Sequence, residues 1–98
     1  MYSLNNLKFY CTKSINEKMY QNVLLKEQID SCIGKFLQEN WGETCKEDCE
    51  MNNKALKTGD RIVAKYNSVD GDIFIVADTV LNDSKKYEHA TILFANEY

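Results

Sequence analysis

The spacing of apolar and polar positions changes character along this chain, from strand to helix and back to strand. Residues 6–11 (Asn-Leu-Lys-Phe-Tyr-Cys) alternate, which predicts a short first strand. Ser14 and Glu17 stand at capping-box spacing, so a helix is expected to start at Ile15 and to end near Gln21–Asn22, the alternative being a helix continuous with the next. From Leu24 onward, Leu25, Ile29, Cys32, Ile33, Phe36 and Leu37 recur at intervals of three and four. That stripe predicts a second helix ending near Gln38. Asn40-Trp41-Gly42 breaks the pattern, and Glu43 to Lys57, free of Pro and Gly, predicts a third helix closed by Gly59.

Beyond Gly59 the period is that of strands. Arg61 to Tyr66 and Ile73 to Ala77 read as two strands around the turn signal Asp70-Gly71, and Ala90 to Phe94 reads as a last one. The polar stretch 79–88 reads as a loop. Helices first and strands afterwards predict an α+β fold, with an N-terminal strand and helices packed on a small antiparallel sheet of three to four strands. Phe36, Trp41, Phe74 and Phe94 are expected in the core. Tyr2, Tyr20, Tyr87 and Tyr98 lie in less patterned places, as tyrosines of a partner surface do.

Length turns this into one unit. Ninety-eight residues suit a single domain, 1–98, with a helical part over 14–57 and a sheet over 60–95. No apolar run reaches the length of a membrane span, and the N-terminus lacks the basic and apolar regions of a secretory signal. A reducing cytoplasm is the expected compartment, so the four cysteines are expected to be thiols.

Charge narrows the partners. Twelve basic and fifteen acidic residues leave a net −3, and Arg61 is the only arginine, which argues against direct nucleic-acid binding. Residues 1–37 carry +2 and residues 38–98 carry −5. Within 39–50, Glu39, Glu43, Glu47, Asp48 and Glu50 face a single Lys46. This is either a solvated helix face or an acidic patch that docks on a basic surface.

Three sets of residues carry candidate chemistry. Cys45 and Cys49, four apart on the third helix, share a face, and a fold-back at residues 40–42 would bring Cys32 beside them. Cys11 or His89 could then complete a zinc site, the alternative being ordinary core packing of thiols. A thiol enzyme would need Cys49 or Cys11 beside His89, and nothing local marks an activated thiolate, so catalysis is not expected. Asp48, Asn52 and Arg61 are expected to tie the third helix to the first strand after it, with Arg61 capping the helix or pairing with Asp48.

The string Trp41-Gly42-Glu43, Cys45, Glu47-Asp48, Asn52, Ala55-Leu56, Gly59, Arg61 and Tyr66 resembles a family of small proteins encoded on plasmids, conjugative elements and prophages. The resemblance continues through the strand Ile73–Val76, Thr91-Ile92-Leu93 and Glu97-Tyr98. The chain departs from that pattern at Phe36, where the family carries histidine, and at Thr79-Val80-Leu81, where it carries acids and an arginine. The resemblance implies a mobile-element setting, in which small acidic proteins are often anti-defence proteins, inhibitors of CRISPR nucleases prominent among them. The expected function is therefore stoichiometric inhibition of an RNA-guided nuclease, the type II effector Cas9, by blocking guide or target-DNA loading. Glu43, Glu47, Glu50, Asp70 and Asp72 are the expected contact residues. A zinc-stabilised accessory module for plasmid maintenance or transfer is the alternative, and a thiol-dependent enzyme the second.

Overall fold

Thr12, rather than Ser14, starts the first helix. Its hydroxyl accepts from the Ile15 amide, and α1 runs Lys13–Gln21. In the computed structural model, which describes residues 1–79 and 85–98, α1 follows a strand β1, Lys8–Cys11. Asn22 ends α1 and caps α2, Val23–Leu37, by accepting from the Leu24 amide, so the two helices form a tight elbow. The third helix, α3, is shorter than its composition suggests: it runs Lys46–Thr58 with Cys45 at its N-cap. Gly59 closes it in the left-handed conformation, φ 82°, its amide bonding the Ala55 carbonyl.

Three further strands follow, β2 (Ile62–Tyr66), β3 (Ile73–Thr79) and β4 (Tyr87–Phe94), and a 3-10 turn over Ala95–Glu97. β4 starts inside the stretch that reads as loop in the sequence; Val80–Ser84 of that stretch lie outside the described residues. The sheet order is β1-β4-β3-β2. The pairs β2–β3 and β3–β4 are antiparallel as expected, whereas β1 lies parallel to β4, which makes the sheet mixed.

One core joins all the elements. Ile15 of α1, the α2 stripe Leu25–Ile29–Cys32–Phe36, and Ala55 and Leu56 of α3 pack with Ile62, Ile73, Ile75 and Ile92 of the sheet. Each large aliphatic side chain buried in this way stabilises the fold by roughly 1.5–3 kcal/mol relative to exposure. Trp41 joins them, its ring 5.2 Å from that of Phe36 and its indole N–H donating to Asn53 at 2.9 Å.

Two aromatic expectations are corrected. Tyr87 is fully buried, with its hydroxyl between the carbonyls of Ala55 (2.9 Å) and Asp60 (2.6 Å), to one of which it donates at a time. Phe74 is only half-buried, because it lies on the sheet face away from the helices. Arg61 also departs from expectation: it neither caps α3 nor meets Asp48, but forms a two-pronged pair with Asp78, at 2.8 and 3.4 Å. The tie between α3 and β2 is made by Asn52 instead. Its amide donates to the Val63 carbonyl at 2.9 Å and accepts from the Val63 amide at 3.2 Å, replacing a neighbouring strand.

The same edge of β2 is closed further along. The Lys65 amide donates to the Thr44 hydroxyl at 2.8 Å, and the Lys65 carbonyl accepts from Glu43 N–H at 2.8 Å. Gly42 lets the loop approach this closely. It sits at φ 64°, where a Cβ would lie 2.3 Å from the Tyr66 ring.

Candidate functional site

All three helices contribute to the core on one face of the sheet, which leaves the other face without a covering layer. Strand alternation sends three cross-strand rows to that outer face. Arg61, Asp78, His89 and Lys8 form one row; Val63, Val76, Thr91 and Tyr10 form the next; Lys65, Phe74 and Leu93 form the third. The centre is therefore apolar and the first row is charged.

The C-terminus folds back over this face. Glu97 accepts from the Phe94 amide at 2.8 Å and from the Thr12 hydroxyl at 3.0 Å, and the Ala95 amide bonds the Asp72 carbonyl. The turn delivers Tyr98 edge-on to Phe74, with ring centroids 5.3 Å apart. Asp78 first, and Tyr98 after it, favour the charged guanidinium of Arg61 and raise its pKa. Tyr98 remains 59% exposed, and between it and the start of α3 lies a cleft of about 320 Å³. Val63 and Phe74 line it, with Glu43 and Asp48 on the α3 side and Lys65 beside them.

The expected contact acids do not form one patch. Glu43 borders the cleft, and Asp72 sits by the β2–β3 turn, where it holds the Lys65 ammonium at 3.6 Å. Asp70 is exposed at the tip of that turn. Glu47 and Glu50 lie on the solvent side of α3, five and two residues before the inward Asn52, so the helical rotation of 100° per residue carries them well away from the sheet. Asp48, four residues before Asn52, is the α3 acid that faces the cleft.

The cysteines do not come together as a metal site. Among the described residues no group of three or more His, Cys, Asp or Glu side chains is placed to hold an ion. Cys32 is buried on the α2 stripe, and Cys49 donates its thiol to the Thr44 carbonyl at 3.4 Å. Cys45 is exposed, and Cys11 packs against the core from β1. His89 is on the outer face, its ring 6.3 Å from that of Tyr10, so it is neither a fourth ligand for those thiols nor a base for Cys49. Burial raises the thiol pKa of Cys11, Cys32 and Cys49; for Cys49 the Cys45 thiol and the Asp48 and Glu50 carboxylates add to the effect. A raised thiol pKa leaves less thiolate, the nucleophilic form, at neutral pH.

The outer-face residues Val63, Phe74, Val76, Leu93 and Tyr98 were not singled out as a site by the sequence. A signal existed: Ile73 to Ala77 is apolar at both parities, which marks a strand with something to cover on both sides. No helix of the described residues is long and apolar enough to cross a membrane. Comparison with known proteins finds no matching family model, no matching curated protein and no matching solved structure.

Proposed function

We propose that this protein is a stoichiometric, non-catalytic binding module that docks its outer sheet face on a basic surface of a protein partner. The observation that carries this reading is the Tyr98–Phe74 cleft, an apolar and aromatic floor bordered by the carboxylates of Glu43 and Asp48. Interfaces of this kind place aromatic anchors at the centre and charge at the rim. The occupant that complements it is a lysine- and arginine-rich lobe, whose side chains meet the carboxylates while their aliphatic stems cover the rings.

The partner to test is the one expected from the resemblance, an RNA-guided DNA nuclease such as Cas9. Such an enzyme holds its heteroduplex in a positively charged channel. An acidic domain seated there competes with nucleic acid by occupying the same cations, and one copy per nuclease suffices. The revised contact set is Glu43, Asp48 and Tyr98, with Asp72 behind Lys65; Glu47 and Glu50 serve the long-range field rather than contact.

The experiment is a pull-down with purified nuclease and a DNA-cleavage titration. Inhibition complete near one equivalent, and weakened tenfold or more by Tyr98→Ala, supports the reading. Inhibition that is sub-stoichiometric and survives removal of the protein would show that it acts as an enzyme instead.

A further inference from the structure

The two edges of the sheet are finished differently. On β2 the outward amides and carbonyls of Val63 and Lys65 are taken by Asn52, Thr44 and Glu43. On β1, the other edge, nothing equivalent is built among the described residues. The Thr12 amide donates to the Ile92 carbonyl at 3.0 Å, so the parallel ladder turns the peptide groups of Lys8 and Tyr10 toward β4 and those of Phe9 and Cys11 away from it. Among the described residues, no hydrogen bond reaches those outward groups. An open edge is a template for one more strand.

We propose that the occupant is β1 of a second copy of this chain, paired antiparallel about a two-fold axis through Tyr10. This register sets Phe9 opposite the partner's Cys11 and Cys11 opposite the partner's Phe9. Both are hydrogen-bonded pairs, so all four outward peptide groups of the two copies that face across the edge are used. A shift centred on Phe9 would need the Leu7 amide, which is already bonded to Leu4, and a shift centred on Cys11 would need Lys13, which is helical. The side chains agree with the central register. Tyr10, 52% exposed, meets its own copy across the axis on the outer face. Phe9 and Cys11, half-buried against the core, cover each other on the inner face in a sulfur–aromatic contact. Lys8, the residue that could guard this edge by charge, falls opposite Thr12 rather than opposite another lysine. Pairing of this kind is closed and isologous, and it joins the two four-stranded sheets into one.

The test is sedimentation equilibrium of the full chain over a wide concentration range, with amide hydrogen exchange on the same samples. The expected mass rises from 11.4 kDa toward twice that value, and the Phe9 and Cys11 amides slow their exchange as it rises. Tyr10→Lys places two ammonium groups face to face and removes the ring pair, so it is expected to weaken self-association about tenfold while far-UV circular dichroism is unchanged. A monomer at every soluble concentration overturns the proposal. So does a dimer in which those two amides exchange as fast as in dilute protein, because the copies then meet elsewhere; this readout needs no variant.

Discussion

Asn52 is buried, 4% exposed, and its amide takes the place of a strand's peptide group. Asn52→Leu keeps the volume and leaves the part-buried Val63 amide and carbonyl without their partner. Its expected cost is about 2–3 kcal/mol, read as a lower urea midpoint with unchanged slope. Tyr87 makes a second prediction at this scale. Burial, with Asp60, Tyr2 and Asp78 nearby, pushes its hydroxyl from 10.0 up to about 12. Between those values the folded chain keeps a proton that the unfolded chain has released, so this contribution is full below pH 10 and is lost as pH rises toward 12. The Tyr66 hydroxyl, bonded to the Asn40 carbonyl at 2.7 Å, is raised by burial as well and acts in the same direction. Tyr87→Phe is expected to cost about 1 kcal/mol at neutral pH and to flatten the alkaline decline in stability; chemical denaturation at pH 8, 10 and 11.5 checks both.

Elements depend on the points where they touch. The link from α2 to β2 through Gly42 is one: at φ 64°, with the Tyr66 ring and the Lys65 carbonyl under 3 Å from a new Cβ, Gly42→Ala must move the loop that closes the β2 edge. A cost above about 1 kcal/mol follows from the backbone alone, which for a chain of this length lowers the melting temperature by more than about 4 °C. Thr12 is another such point. Its hydroxyl caps α1 and also donates to Glu97, so it joins the first helix to the C-terminal turn. Thr12→Ala is expected to lose about 1 kcal/mol from the cap and to loosen the turn that carries Tyr98. Tyr98 would then move, and hydrogen exchange at the Phe94 and Tyr98 amides would rise.

At the scale of the whole molecule the charges act through their field. Net −3 is modest, but Glu43, Asp48 and Asp72 flank one end of the outer face, where a basic partner would meet them together. Association with such a partner is expected to slow as ionic strength is raised from about 0.05 M to about 0.5 M, because exposed charges are screened over a few ångströms at high salt. Glu43→Gln with Asp48→Asn should lower the association rate and flatten its salt dependence, while Glu47→Gln with Glu50→Gln should change the rate less. Stopped-flow measurements on both pairs separate a contact role from a field role.

How much of this was legible follows from the distance over which each decision is made. Local spacing determined the helical stripe of α2, the Gly59 stop, the Asp70-Gly71 turn and the strands around it, since each depends on neighbours within a few residues. It also located Cys32 on a core stripe and Asn52 beside the strand that follows α3. Local spacing misplaced Tyr87, Phe74 and Arg61, because burial there is set by partners far along the chain: Tyr87 by the Ala55 carbonyl, 32 residues away, and Arg61 by Asp78, 17 residues away. The scattered acids needed the helix's rotation relative to the sheet before Asp48 could be told from Glu47. Only the tertiary structure decided that β1 lies parallel to β4, that no helix packs on the outer face of the sheet, and that Thr12 and Glu97, 85 residues apart, bring Tyr98 onto that face. Periodicity states which side of an element is apolar. What lies against that side is decided by contacts between elements, which no short window of sequence contains.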